Sequence, residues 1–78
     1  MKQRIAVLGS TGSIGKNTLA VVREHPDQFE VVGLAAGSNV QEMVRQIREF
    51  SPRIVSMASP GAAGQVRREA GPGVGVVV

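Results

Sequence analysis

Gly9, Gly12 and Gly15 recur at every third residue, with Ser10, Thr11, Ser13 and Ile14 between them. A glycine-rich turn that opens a helix aims backbone N–H groups and the positive end of the helix dipole at one point, which suits a negatively charged group. Diphosphate fits such a place. Gly9 allows a tight turn, Gly12 lets phosphates come close to the backbone, and Gly15 removes a side chain where helix and strand must pack. The hydroxyls of Ser10, Thr11 and Ser13 are expected to add hydrogen bonds to phosphate oxygens.

The spacing G-x-x-G-x-x-G is a variant of the dinucleotide fingerprint and carries weight only between a strand and a helix. Gly15-Lys16 also resembles the end of a nucleotide-binding P-loop, but Ser10 stands at the position of its leading glycine and Asn17 at that of its metal-binding Ser or Thr. Lys16 is therefore read as a solvated first-turn residue. The second informative stretch is Leu34-Ala35-Ala36-Gly37-Ser38-Asn39, where folds selective for NAD place a carboxylate on the ribose 2′-hydroxyl. No acid is available there, so a 2′-phosphate meets no like charge and NADP is the expected dinucleotide. Ser38, Asn39 and the N–H groups of the following helix are candidates to receive that phosphate. Asn39 is equally suited to cap the helix, and the two roles are compatible. His25, the one histidine, stands beside Pro26 at a helix end and is read as a terminal residue.

These positions require a framework of alternating strands and helices. Apolar runs with strand character fall at 4–8, 29–35, 53–57 and 74–78, and helix-period segments at 13–24, 39–50 and 60–70. In the first helix Gly15, Leu19 and Val22 form the apolar stripe, flanked by Ile14 and Val21, and Pro26 ends it. The second places Val40, Met43, Val44 and Ile47 on one face, with Asn39 and Glu42 spaced as a capping box. The third has Ser59-Pro60 at its start, a thin stripe of Ala63, Val66 and Ala70, and Gly71-Pro72-Gly73 at its exit. The order β-α-β-α-β-α-β, with strands apolar on both faces, predicts the first half of a Rossmann-type doubly wound parallel α/β sheet of strand order 3-2-1-4, helices on both faces.

The bulk properties fit this framework. The chain has 78 residues, 42% hydrophobic and 19% charged, with no cysteine and a net charge of +3. Disulfides, zinc-thiolate sites and cysteine nucleophiles are excluded from it. Its nine basic residues are dispersed among acids, and Phe29 and Phe50 are the only aromatics, so nucleic-acid binding is not expected. No apolar run approaches the roughly 20 residues of a membrane span, and no targeting segment is read, hence the expectation of a cytoplasmic protein. A chain ending in a parallel strand leaves that strand's outer edge unpaired, so residues 1–78 are expected to be part of a longer N-terminal dinucleotide-binding domain.

Gly9-Ser10-Thr11-Gly12-Ser13-Ile14-Gly15, followed by His25-Pro26-Asp27-Gln28-Phe29, Ala36-Gly37-Ser38-Asn39-Val40 and Phe50-Ser51-Pro52, resembles the 1-deoxy-D-xylulose 5-phosphate reductoisomerase family in order and spacing from Arg4 to about Met57. The resemblance implies an NADPH-dependent oxidoreductase of the methylerythritol phosphate route to isoprenoid precursors, a cytoplasmic homodimer. It implies a phosphorylated sugar substrate, converted to 2-C-methyl-D-erythritol 4-phosphate, and a divalent metal, Mg or Mn. Carried onto this sequence, the cofactor contacts fall on Thr11, Gly12, Ser13 and Ile14, and on Gly37, Ser38 and Asn39. Ser38 stands where the family often has a lysine, so charge does less there to hold a 2′-phosphate. The family's metal-binding carboxylates and substrate-phosphate residues lie in later domains, so no catalytic or metal-binding residue is assigned here and the segment alone is expected to be inactive. Other readings of the same loop are an extended short-chain or semialdehyde dehydrogenase, or a nucleotide-binding module without chemistry of its own.

Overall fold

A computed structural model describes residues 2–78. Its elements are β1 (Gln3–Leu8), α1 (Ser13–Glu24), β2 (Phe29–Ala35), α2 (Val40–Phe50), β3 (Ile54–Ser56), α3 (Pro60–Ala70) and β4 (Gly75–Val77). The four strands form one all-parallel sheet, so the Rossmann-like α/β architecture expected from the alternation is present. No helix is long and apolar enough to cross a membrane among the described residues.

Local chemistry sets the helix bounds. Asn39 caps α2 by accepting from the Glu42 N–H at 3.1 Å, and Ser59 caps α3 by accepting from the Ala62 N–H at 3.2 Å. Pro60 occupies the first turn of α3, where its missing N–H removes no helical bond. Ser51 ends α2 in the left-handed region at φ +50°, and Gly71 ends α3 at φ +81°. The capping box at α2 is only half made. The Glu42 carboxylate turns to Arg45 and Gln46 instead of the Asn39 N–H, because a guanidinium and a buried amide are stronger partners within reach.

The core lies on one face of the sheet. Val7, Leu34, Val55 and Val76 are register neighbours across all four strands, and they pack with Leu19 and Val22 of α1, Met43 and Ile47 of α2, and Ala63 and Val66 of α3. The opposite row, Leu8, Ala35, Ser56 and Val77, is open, with Leu8 81% exposed. Ile54 beside it is also exposed. The described helices thus cover one face, not the two expected from strands that are apolar on both. Ile14 and Val21, expected to flank the buried stripe of α1, are exposed as well, because the sheet meets the helix along the narrower line of Gly15, Leu19 and Val22.

Strand order is a second correction. The sheet runs β1-β2-β3-β4, where 3-2-1-4 was expected. To reach the far side of β1 the chain leaving β3 would have to traverse three strand spacings of about 4.8 Å each. Its connections are the short segments Met57–Ser59 and Gly71–Val74, and α3 packs directly on α2, so β4 takes the adjacent place beside β3. All three crossovers therefore step in the same direction.

Candidate functional site

The two stretches singled out in the sequence meet at the carboxyl ends of β1 and β2. Both strands are parallel and adjacent, so the loops that leave them emerge on the same edge of the sheet. The Ser10 N–H donates to Ala35 O at 2.9 Å, which ties the first loop to the end of the second strand.

Each glycine of the loop has a distinct physical reason. Gly9 has φ +65°, a conformation that L side chains rarely adopt. Gly15 is pressed against the turn, and a β-carbon there would lie 2.2 Å from Gly9 O and 2.7 Å from the Ser10 Cα. Gly12 is different. Its backbone is extended, at φ −85° and ψ 177°, and an added β-carbon would meet nothing nearer than Gly9 O at 3.5 Å. The conformation and surroundings of residue 12 do not require glycine, so the space a side chain would fill stays open beside the backbone there.

Gly12 is the N-cap of α1 and offers no side chain to the first turn. The helix's first backbone bond runs from the Lys16 N–H to Gly12 O at 2.9 Å, so among the described residues the N–H groups of Ser13, Ile14 and Gly15 meet no acceptor. Unpaired donors at a helix start form an anion site, provided nothing acidic occupies it. No acidic residue lies in the first turn of α1. Gly12, Ser13 and Ile14 are exposed and Thr11 is half-buried, so four of the expected contacts line an accessible surface.

The second half of the site is the start of α2. Gly37, Ser38 and Asn39 are exposed, and open space lies over the Gly37 Cα. The Ala58 N–H donates to Gly37 O at 3.0 Å and the Ala36 N–H to Ser56 O at 2.9 Å, bonds that hold this loop against β3. Asn39 is a helix cap, as one of its two expected roles required. Glu30, the only acid of β2, pairs in register with Arg4 near the amino end of the strand, far from this edge. Glu42 is the nearest acid in the sequence of α2. The Arg45 guanidinium, with help from Gln46 and Lys16, holds its carboxyl down at about 2, so it stands as a neutralised anion.

Ser10 departs from expectation. Its side chain is fully buried under the loop, so its hydroxyl faces the interior and not a phosphate position. The reason is that Ser10 lies between α1, which has no side chain at Gly15, and α2, which closes over it. Sequence reading also missed Gln46. This residue is fully buried, and its Nε2 donates to Ser10 O at 2.8 Å and to Glu42 Oε2 at 3.0 Å. A signal was present: position 46 follows Met43 by three, so a polar residue there lies on the buried face of α2. His25 is the C-cap of α1 and is exposed, remote from the loop's edge of the sheet. Among the described residues no three His, Cys, Asp or Glu side chains come together as a metal site.

A family model for 1-deoxy-D-xylulose 5-phosphate reductoisomerase matches residues 5–76. A relative of that name from Anaeromyxobacter sp. (strain K) is 56% identical over 75 residues, which is 96% of this chain and 19% of the relative. Among solved structures, 1-deoxy-D-xylulose 5-phosphate reductoisomerase from Zymomonas mobilis in complex with NADPH superposes with a TM-score of 0.91 at 27% identity, covering 99% of this chain and 21% of that one. A DOX-P reductoisomerase in complex with NADPH, fosmidomycin and magnesium gives 0.86 at 33% identity, covering 96% of this chain and 19% of that one. The chain thus spans about a fifth of the length of the relatives it matches.

Proposed function

The chain belongs to the 1-deoxy-D-xylulose 5-phosphate reductoisomerase family, and on that premise we propose that residues 1–78 are the NADPH-binding part of such an enzyme. The observation that carries the reading is the uncapped start of α1, whose free N–H groups share one sheet edge with the acid-free end of β2.

Thr11, Gly12, Ser13 and Ile14 hold the diphosphate side of the cofactor. Backbone donors at the α1 start take the phosphate oxygens, the Ser13 and Thr11 hydroxyls add to them, and the missing Gly12 side chain lets the phosphates reach the amides. Gly37, Ser38 and Asn39 hold the ribose 2′-phosphate at the start of α2, where helix dipole and free N–H groups take the part that a lysine would play. The exposed Ile14 side chain, 83% accessible, offers apolar contact at the rim. NADPH supplies the hydride when bound. What these residues contribute is binding and orientation of the cofactor, with no step of proton or bond chemistry.

The whole enzyme on this reading reduces and rearranges 1-deoxy-D-xylulose 5-phosphate to 2-C-methyl-D-erythritol 4-phosphate, as a cytoplasmic homodimer. On the same reading its divalent metal and substrate groups are held by residues of the longer enzyme, as the family resemblance implies. Titration calorimetry of the folded 78-residue chain tests the cofactor assignment. The expected result is uptake of NADPH at least roughly tenfold tighter than NADH, and no NADPH oxidation when substrate and magnesium are added, because hydride transfer needs a positioned substrate as well as a cofactor. Equal or tighter binding of NADH would overturn it.

A further inference from the structure

We propose that Gln46 is a positioning residue that locks the Gly9–Gly15 loop to the first turn of α2, and so fixes the separation of the two halves of the cofactor site; the proposal rests on the assignment of those halves made above. Gln46 is a fully buried amide on the core face of α2. Burying an amide is unfavourable unless its bonds are made, and an apolar residue would serve the core better. The cost is visible, because Gln46 Oε1 and the adjacent Ser10 Oγ are both buried without a partner. What Gln46 does make are two bonds from a single nitrogen: to Ser10 O in the loop at 2.8 Å, and to Glu42 Oε2 in the first turn of α2 at 3.0 Å.

Both partners adjoin the candidate site. Ser10 is the residue before Thr11 and Gly12. Its N–H is held by Ala35 O, its Cα is pressed by α1 at Gly15, and its carbonyl is held by Gln46. Every polar group of its backbone is thereby fixed, and with it the direction in which the next amides point. Glu42 gives its own N–H to the Asn39 side chain, in the half that receives the 2′-phosphate. From Glu42 the connection continues through Arg45 to Glu49, and from Glu49 to Arg23 near the end of α1. Loop, α2 and α1 are therefore joined by one unbroken set of polar contacts, in which the Gln46–Ser10 bond is the link to the loop.

A ligand that spans two half-sites gains affinity only if their separation is fixed, whereas a ligand of one half is indifferent to it. This separates positioning from general stabilisation. In the 78-residue chain, Gln46→Leu and the volume-matched Gln46→Met, which remove the donor without adding charge, are expected to weaken NADPH roughly tenfold or more while leaving adenosine 2′-monophosphate within about twofold of the unaltered chain. Parallel loss of both ligands, or unchanged NADPH binding, would overturn the proposal. Should either variant fail to fold, NMR of the unaltered chain decides. Inorganic pyrophosphate, which meets the loop alone, is expected to shift the Gln46 side-chain amide and the Glu42 backbone amide. Shifts confined to residues 9–15 would overturn the proposal equally. Failure of the unaltered chain to bind NADPH at all would instead remove the site on which it rests.

Discussion

A β-carbon at Gly15 would enter the turn at Gly9–Ser10, where both nearest atoms are backbone and neither can rotate away. Gly15→Ala is therefore expected to destabilise the chain by about 3 kcal/mol or more, at the upper end of overpacking costs. Gly12→Ala tests the opposite case. The backbone there is already extended and the new methyl has room, so the loss should be about 1 kcal/mol or less, that of a changed helix cap. NADPH affinity should nevertheless fall by roughly tenfold or more, since the methyl stands where phosphate must approach the amides. Thermal melts and calorimetry on the two variants check both halves; a Gly12→Ala chain that keeps full affinity would remove Gly12 from the site. The three glycines look alike in sequence. Only their conformations and neighbours show that Gly9 and Gly15 are required by the fold and that Gly12 is not.

At the scale of elements, α1 and α3 begin and end where capping and breaking residues indicate, because those signals act within one turn of the chain. Glu42–Arg45 and Arg45–Glu49 are pairs at i,i+3 and i,i+4 within α2, spacings legible in sequence. The Arg23–Glu49 contact that joins α1 to α2 is not, since the two meet only when the helices pack side by side. The carboxyls of Glu42 and Glu49 are both held below the ordinary value, Glu42 chiefly by Arg45 and Glu49 chiefly by Arg23. A carboxylate whose folded value is depressed contributes stability that is present above its unfolded value and is lost as the pH falls through the folded one. The melting temperature is accordingly expected to fall between pH 4.5 and about 2. Glu42→Gln should flatten that fall, and salt should reduce the difference between the two chains because the guanidinium groups face solvent. An identical acid profile for Glu42→Gln and the unaltered chain would show that the contact carries no stability.

Across the whole molecule the sheet is covered on one side. Leu8, Ile54 and Val77 form an open apolar surface on the other, with Ala6, Gly33 and Ala35 between them as a shallow trough. Isolated apolar surface of this kind binds amphiphilic dyes and promotes association. The 78-residue chain is expected to enhance the fluorescence of anilinonaphthalene sulfonate, and Ile54→Thr with Val77→Thr to lower that enhancement by roughly half while leaving NADPH binding intact. Undiminished fluorescence would place the dye elsewhere.

The residues determined a great deal unaided. Alternation of apolar runs and helix-period segments, with caps at Asn39 and Ser59 and the glycine-rich turn, led to a parallel α/β sheet with a tight loop between its first strand and first helix, since each of those signals is local. Tertiary structure alone decided that β4 lies beside β3, that Ser10 turns inward, and that Gln46 reaches the loop from 36 residues away. Those outcomes depend on which side a crossover takes and how closely two helices approach. Both are set by the packing of distant segments against one another, and no window of sequence contains them.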